Sequence, residues 1–114
     1  MKDVKKFLKD NDIEVHDTYP TGAVPDECVI LKYKGIKPKN NVVTTHRYDV
    51  QIFSRVGVEE FTLKVYMLLL KDILKLNGYG YPQLEPVEDS MKEYKTKNLK
   101  SIEYRYSVDV IDRS

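Results

Sequence analysis

The sequence predicts an α+β domain: a mostly antiparallel sheet of about four strands with two helices packed on one face, in the order helix-strand-strand-strand-helix-strand. Three observations predict it. Tyr48, Val50 and Ile52 alternate with Arg47, Asp49 and Gln51, the period-2 mark of a half-buried strand. The alternation returns near the end, where Ile102, Tyr104, Tyr106, Val108 and Val110 interleave with Glu103, Arg105, Ser107 and Asp109. Between these stretches, Phe61, Val65, Leu68, Leu69, Ile73 and Leu76 recur at helical spacing.

Taken in order, Lys2 to Asn11 reads as a short amphipathic helix, with Val4, Phe7 and Leu8 on one side. A helix of that length is marginal alone and must dock. Ile13 to Tyr19 reads as a first strand, closed by a turn at Tyr19-Pro20-Thr21-Gly22 and a second break at Pro25-Asp26. Glu27 to Tyr33, rich in Val, Ile and Leu, reads as a strand. Lys34 to Asn41 is basic and holds Gly35 and Pro38, which predicts a long loop. Val42 to Arg55 is a long strand, and Val58 to Leu76 a helix of about 28 Å with Gly78 beyond its end. Gly78-Tyr79-Gly80-Tyr81-Pro82 breaks the pattern; Leu84 and Val87 fit a short edge strand, since Pro86 excludes a central one. Leu99 to Ile111 is the final strand.

The 114 residues suit one domain spanning 1–114. With 41% hydrophobic and 32% charged residues the composition is that of a soluble globular protein, expected to remain in a reducing cytoplasm. A formal charge of +1 gives no overall pull toward nucleic acid or an anionic membrane. The longest apolar run, Val65 to Leu70, is far too short to cross a bilayer, and no secretory signal opens the chain. Cys28, the only cysteine, lies in the apolar stretch Cys28-Val29-Ile30-Leu31 and reads as a small buried hydrophobe.

Residues that carry chemistry form no recognisable constellation. His16 and His46 lack partners at metal-ligand spacing. His46 and Asp49 fall on opposite faces of one strand, which reads both as solvent-facing. Gly78 and Gly80 precede Tyr81-Pro82 rather than a helix start, so they do not cradle a phosphate. Glu85, Glu88 and Asp89 read as a solvated loop. No catalytic residue, cofactor site or metal ligand is assigned, and the chain is read as a non-enzyme. Lys34, Lys37 and Lys39 suit a contact arm better than sequence reading of DNA.

One feature of the longer helix stands apart. Leu63, Tyr66, Met67, Leu70 and Leu74 add apolar surface outside its core stripe, more than a helix lying on a sheet needs. Leu63, Tyr66, Met67 and Leu70, with Lys34, Ile36, Lys37 and Lys39 of the basic segment and Tyr79 and Tyr81 beyond the helix, are the candidate contacts to other subunits or a partner.

Arg47-Tyr48-Asp49-Val50-Gln51-Ile52-Phe53-Ser54-Arg55, the leucine-rich helix after it, and Tyr104-Arg105-Tyr106-Ser107-Val108-Asp109-Val110 together resemble the tail-terminator (tail-completion, minor capsid) proteins of long-tailed bacteriophages and prophages. The resemblance implies a homo-oligomeric ring, commonly a hexamer, on the end of the tail tube. Such a ring stops tube polymerisation, meets the head connector and passes DNA through a channel without reading it. It also implies assembly in the host cytoplasm and a final place in the virion. Another head-tail connector or minor capsid component, or a small ligand- or peptide-binding α+β module, are the alternatives.

Overall fold

A computed structural model of the chain describes residues 4–19, 25–95 and 98–111. Helix α1 covers Val4–Asp10, followed by strands β1 (Val15–His16), β2 (Glu27–Pro38) and β3 (Val43–Ser54). Helix α2 covers Val58–Leu70 and runs into a 3₁₀ helix at Asp72–Lys75. Strands β4 (Tyr79–Pro86), β5 (Lys92–Tyr94) and β6 (Leu99–Ile111) complete the sheet. The strand order is β1-β2-β3-β6-β4, with β5 also paired to β6. Among the described residues, only the β1–β2 pair is parallel.

Alternation along β3 and β6 decides which layer each side chain enters. Tyr48, Val50 and Ile52 of β3 and Tyr106, Val108 and Val110 of β6 bury on one face with Val29 and Leu31 of β2. Val4 and Leu8 of α1, and Phe61, Val65, Leu68 and Leu69 of α2, close over that face. Both helices therefore lie on one side. The other face carries a small cluster of Cys28, Ile30, Phe53 and Leu99 at one end and polar side chains elsewhere.

The expected α+β class and mostly antiparallel sheet are present, but among the described residues the sheet has six strands rather than about four, and the order gains elements between α2 and β6. The segment opened by Gly78-Tyr79-Gly80-Tyr81-Pro82 is not irregular: β4 starts at Tyr79. It pairs on one side alone, so Pro82 and Pro86 are tolerated, and a bulge between Gly80 and Gln83 absorbs the break with Tyr81 at φ 44°. Val87 lies just past the strand, yet its N–H donates to Glu103 O at 2.9 Å. Three-residue β5 is too short to leave a periodicity.

The Lys34–Asn41 segment is likewise not a loop. β2 continues to Pro38 because a bulge between Tyr33 and Gly35 shifts the register and pairing then resumes. Gly35 sits at φ +106°, a conformation few side chains accept. The remaining turn is short, and Asn40 Oδ1 accepts hydrogen bonds from the N–H groups of Val42 and Val43, both at 2.9 Å. The first strand shrinks to Val15–His16, and the helix predicted over Val58 to Leu76 ends its α-helical turns at Leu70. Lys2, the start of the predicted first helix, and most of the Tyr19–Gly22 turn lie outside the described residues. His46 is not solvent-facing: it belongs to the helix-covered face with Tyr48 and is buried.

Candidate self-association surface

The sequence of α2 makes two faces. Ser54 Oγ accepts hydrogen bonds from the N–H groups of Gly57 (3.0 Å) and Val56 (3.3 Å), turning the chain from β3 into the helix. Glu59 and Glu60 then occupy the first turn, where carboxylates suit the positive end of the helix dipole. Phe61, Val65, Leu68 and Leu69 point into the core. At the other end Tyr106 Oη donates to Leu69 O at 2.8 Å, which fixes the rotation of the helix on the sheet.

That rotation leaves a second stripe outside. Leu63 is 60% exposed, and Tyr66, Met67 and Leu74 are exposed with it. The steps of three and four residues among 63, 66, 67 and 70 keep these positions on one side of α2, and Leu74 lies beyond it in the 3₁₀ helix. Leu70 is half-buried against the core, so it contributes only its edge.

A second apolar patch lies on the β2–β3 hairpin. Tyr33 pairs with Tyr48 and Ile36 with His46, so both point to the helix-covered side of the sheet. They are nonetheless 51% and 52% exposed, and Val42 at the turn is exposed too. Tyr33 packs on Tyr48 with ring centroids 5.2 Å apart. Its hydroxyl lies 2.9 Å from His46 Nδ1, and Thr44 Oγ1 lies 3.2 Å from His46 Nε2.

The opposite side of the same hairpin is charged. Lys34 pairs with Asp49 at 3.7 Å, and Arg47 stands beside them. With Gln83, Glu85, Arg105 and Ser107 they line an open groove of about 440 Å³. Both signs of charge are mixed there, which suits solvent better than a single anionic or cationic ligand. At the hairpin turn, Lys39 Nζ reaches Asp109 Oδ2 at 2.8 Å and stands 5.1 Å from the Tyr81 ring centroid. Thr45 Oγ1 donates to the other carboxylate oxygen at 2.7 Å. Burial pushes the Asp109 carboxyl up, but the Lys39 and Thr45 hydrogen bonds and the Lys39 charge outweigh it and hold the pKa below its ordinary value. This clasp fastens the end of the hairpin to β6.

Elsewhere the chemistry is sparse. Among the described residues no three His, Cys, Asp or Glu side chains gather as metal ligands, and no helix is long and apolar enough to cross a membrane. Burial pushes the Cys28 thiol up to about 11, the Glu14 carboxylate adding to it. A hollow of about 340 Å³ on the polar face is lined by Tyr19, Gln51, Phe53, Tyr94 and Leu99.

The sequence candidates thus divide. Leu63, Tyr66 and Met67 share the outer side of α2. Ile36 joins Tyr33 on the hairpin, and Lys34 and Lys37 are exposed strand residues rather than members of a loop. Lys39 and Tyr81 meet in the clasp. Tyr79 is buried within its own chain, so it offers little to a partner. Sequence reasoning missed Tyr33, Val42 and Asp109. The signal for Tyr33 was present: apolar Tyr33 and Ile36 flank Lys34-Gly35, the spacing a glycine bulge produces. The chain matches no protein-family model and no curated protein.

Proposed function

We propose that this protein is a structural assembly protein of the phage tail-terminator type, which closes with copies of itself into a ring, a hexamer by the resemblance. In this reading the ring caps a tail tube, meets the head connector, and lets DNA pass unread. The supporting observation is the outer side of α2, where Leu63, Tyr66 and Met67 stay in water, with Leu74 of the following 3₁₀ helix exposed beyond them, although α2 has already filled its own core stripe. Grouped exposed apolar side chains on a small chain mark a contact surface. The separate patch at Tyr33 and Ile36 supports closure, because two unlike patches make head-to-tail contacts, which form rings when the rotation closes.

Strand addition is a poor alternative route to assembly. The outer edge of β4 carries Pro82 and Pro86, and that of β2 carries Lys32, Lys34 and Lys37 beside a bulge. Prolines, lysines and bulges are the devices that blunt sheet edges. Association is left to side-chain surfaces.

The hollow between Tyr19, Phe53 and Tyr94 favours a second reading, a small ligand- or peptide-binding module. Native mass spectrometry, alone and with a tail-tube protein or a head-connector protein of a long-tailed phage, separates the readings. A closed stoichiometry, six in the first instance, supports the ring. A strict monomer at the highest attainable concentration that ignores both proteins contradicts it.

A further inference from the structure

We propose that the uncharged side of the β2–β3 hairpin is a berth for the outer stripe of α2 from a second copy of this chain. The inference rests on the self-assembly reading above and names the interface. Past its short pairing with β1, β2 is an edge strand whose side chains from Lys32 to Pro38 are mostly exposed on both faces of the sheet, and an exposed edge is commonly blunted with charges. Here Lys34, Lys37, Arg47 and Asp49 take one side, while the other presents Tyr33, Ile36 and Pro38, with Thr44 half-buried and His46 buried beside them. The polar atoms of that second side satisfy one another through the Tyr33–His46–Thr44 chain, so they ask little of water.

The berth lies on the same side of the sheet as α1 and α2, the side on which this architecture stacks helices. A helix from outside completes that layer. Among the described residues, the apolar helical surface left free is the outer side of α2 at Leu63, Tyr66 and Met67, with Leu74 beyond its end. The two patches expose roughly 600 Å² between them, hydroxyl and main-chain atoms included. A specific interface at the small end buries about 1,200 Å² in total, a little over half of it non-polar. One such contact per copy covers both patches. A two-fold pairing of α2 with α2 leaves Tyr33 and Ile36 in water.

The test uses full-length Ile36→Cys and Met67→Cys chains, both changes at exposed positions, with a short bismaleimide at high protein concentration; the buried Cys28 provides little background. Cross-linked dimers should form when the two variants are mixed and be absent from either alone. Dimers from Met67→Cys alone mean two-fold helix pairing and overturn the berth. Light scattering that shows oligomers without mixed cross-links overturns the berth while sparing the ring; a monomer without cross-links overturns both. As a second measurement, Ile36→Asp should weaken self-association by about tenfold or more, the scale set by one buried aliphatic side chain. Unchanged association overturns the berth.

Discussion

The hydroxyl of Tyr106 donates to the main-chain carbonyl of Leu69 at 2.8 Å, tying a central strand to the last turn of α2. Carbonyls in the last turn of a helix have no partner within it, so this hydroxyl fills a vacancy and sets which side of α2 faces out. Burial, with the neighbouring Tyr48 and Tyr79 hydroxyls adding to it, pushes the Tyr106 hydroxyl well above the usual phenol range, which keeps it a donor at any working pH. Tyr106→Phe keeps the ring and removes the bond, leaving a buried carbonyl unsatisfied. The expected loss is about 1–3 kcal/mol in urea unfolding. A loss near zero means that the bond does not hold the helix in place.

The Asp109 clasp has a pH signature. Its folded pKa is depressed from an ordinary value of 3.8, so the stabilisation is present above that value and is lost as pH falls through the lower folded one. Asp109→Asn lacks the charge at every pH. The stability gap between wild type and Asp109→Asn should therefore be full near neutral pH and narrow as the pH drops below about 4. A gap that holds constant or widens in acid contradicts the clasp.

Gly35→Ala isolates a backbone cost. The glycine sits at φ +106°, and an added Cβ meets nothing within 4 Å, so strain alone opposes the change. We expect about 1–2 kcal/mol of destabilisation by thermal or urea unfolding. A neutral result means that the hairpin bulge relaxes into another register.

Cys28 reports on global opening. Its thiol is fully buried and its pKa raised to about 11, so a thiol reagent at mildly alkaline pH should label it only as the chain unfolds. Labelling rates should rise with urea in step with loss of structure. Rapid labelling of the native chain contradicts the packing of β2 against Phe53 and Leu99.

Much of the fold was legible where periodicity was long. The alternation through β3 and β6 gave both strands to within a residue, and the leucine stripe located α2. The misses share a cause: glycine and proline signal a break in sequence, but in a sheet they also mark bulges and edges. Gly35 and Pro38 lie inside β2, and Pro82 and Pro86 inside β4, because a bulge or an open edge removes the conflict. His46 was misread because its polarity outweighed its register with Tyr48; the Tyr33 hydroxyl that permits its burial is thirteen positions away. The Lys39–Asp109 pair spans seventy positions, beyond the reach of any local pattern. The surplus apolar side of α2 was visible from spacing alone, except that Leu70 turned out half-buried.

Sedimentation velocity over a concentration series, on wild type beside Leu63→Glu, tests the central claim most directly. Leu63 is exposed, so a charge there should leave folding stability within about 0.5 kcal/mol. Wild type should sediment as a defined oligomer and Leu63→Glu as a smaller species at the same concentration. Identical profiles, whether both monomeric or both assembled, contradict a ring built on the outer side of α2.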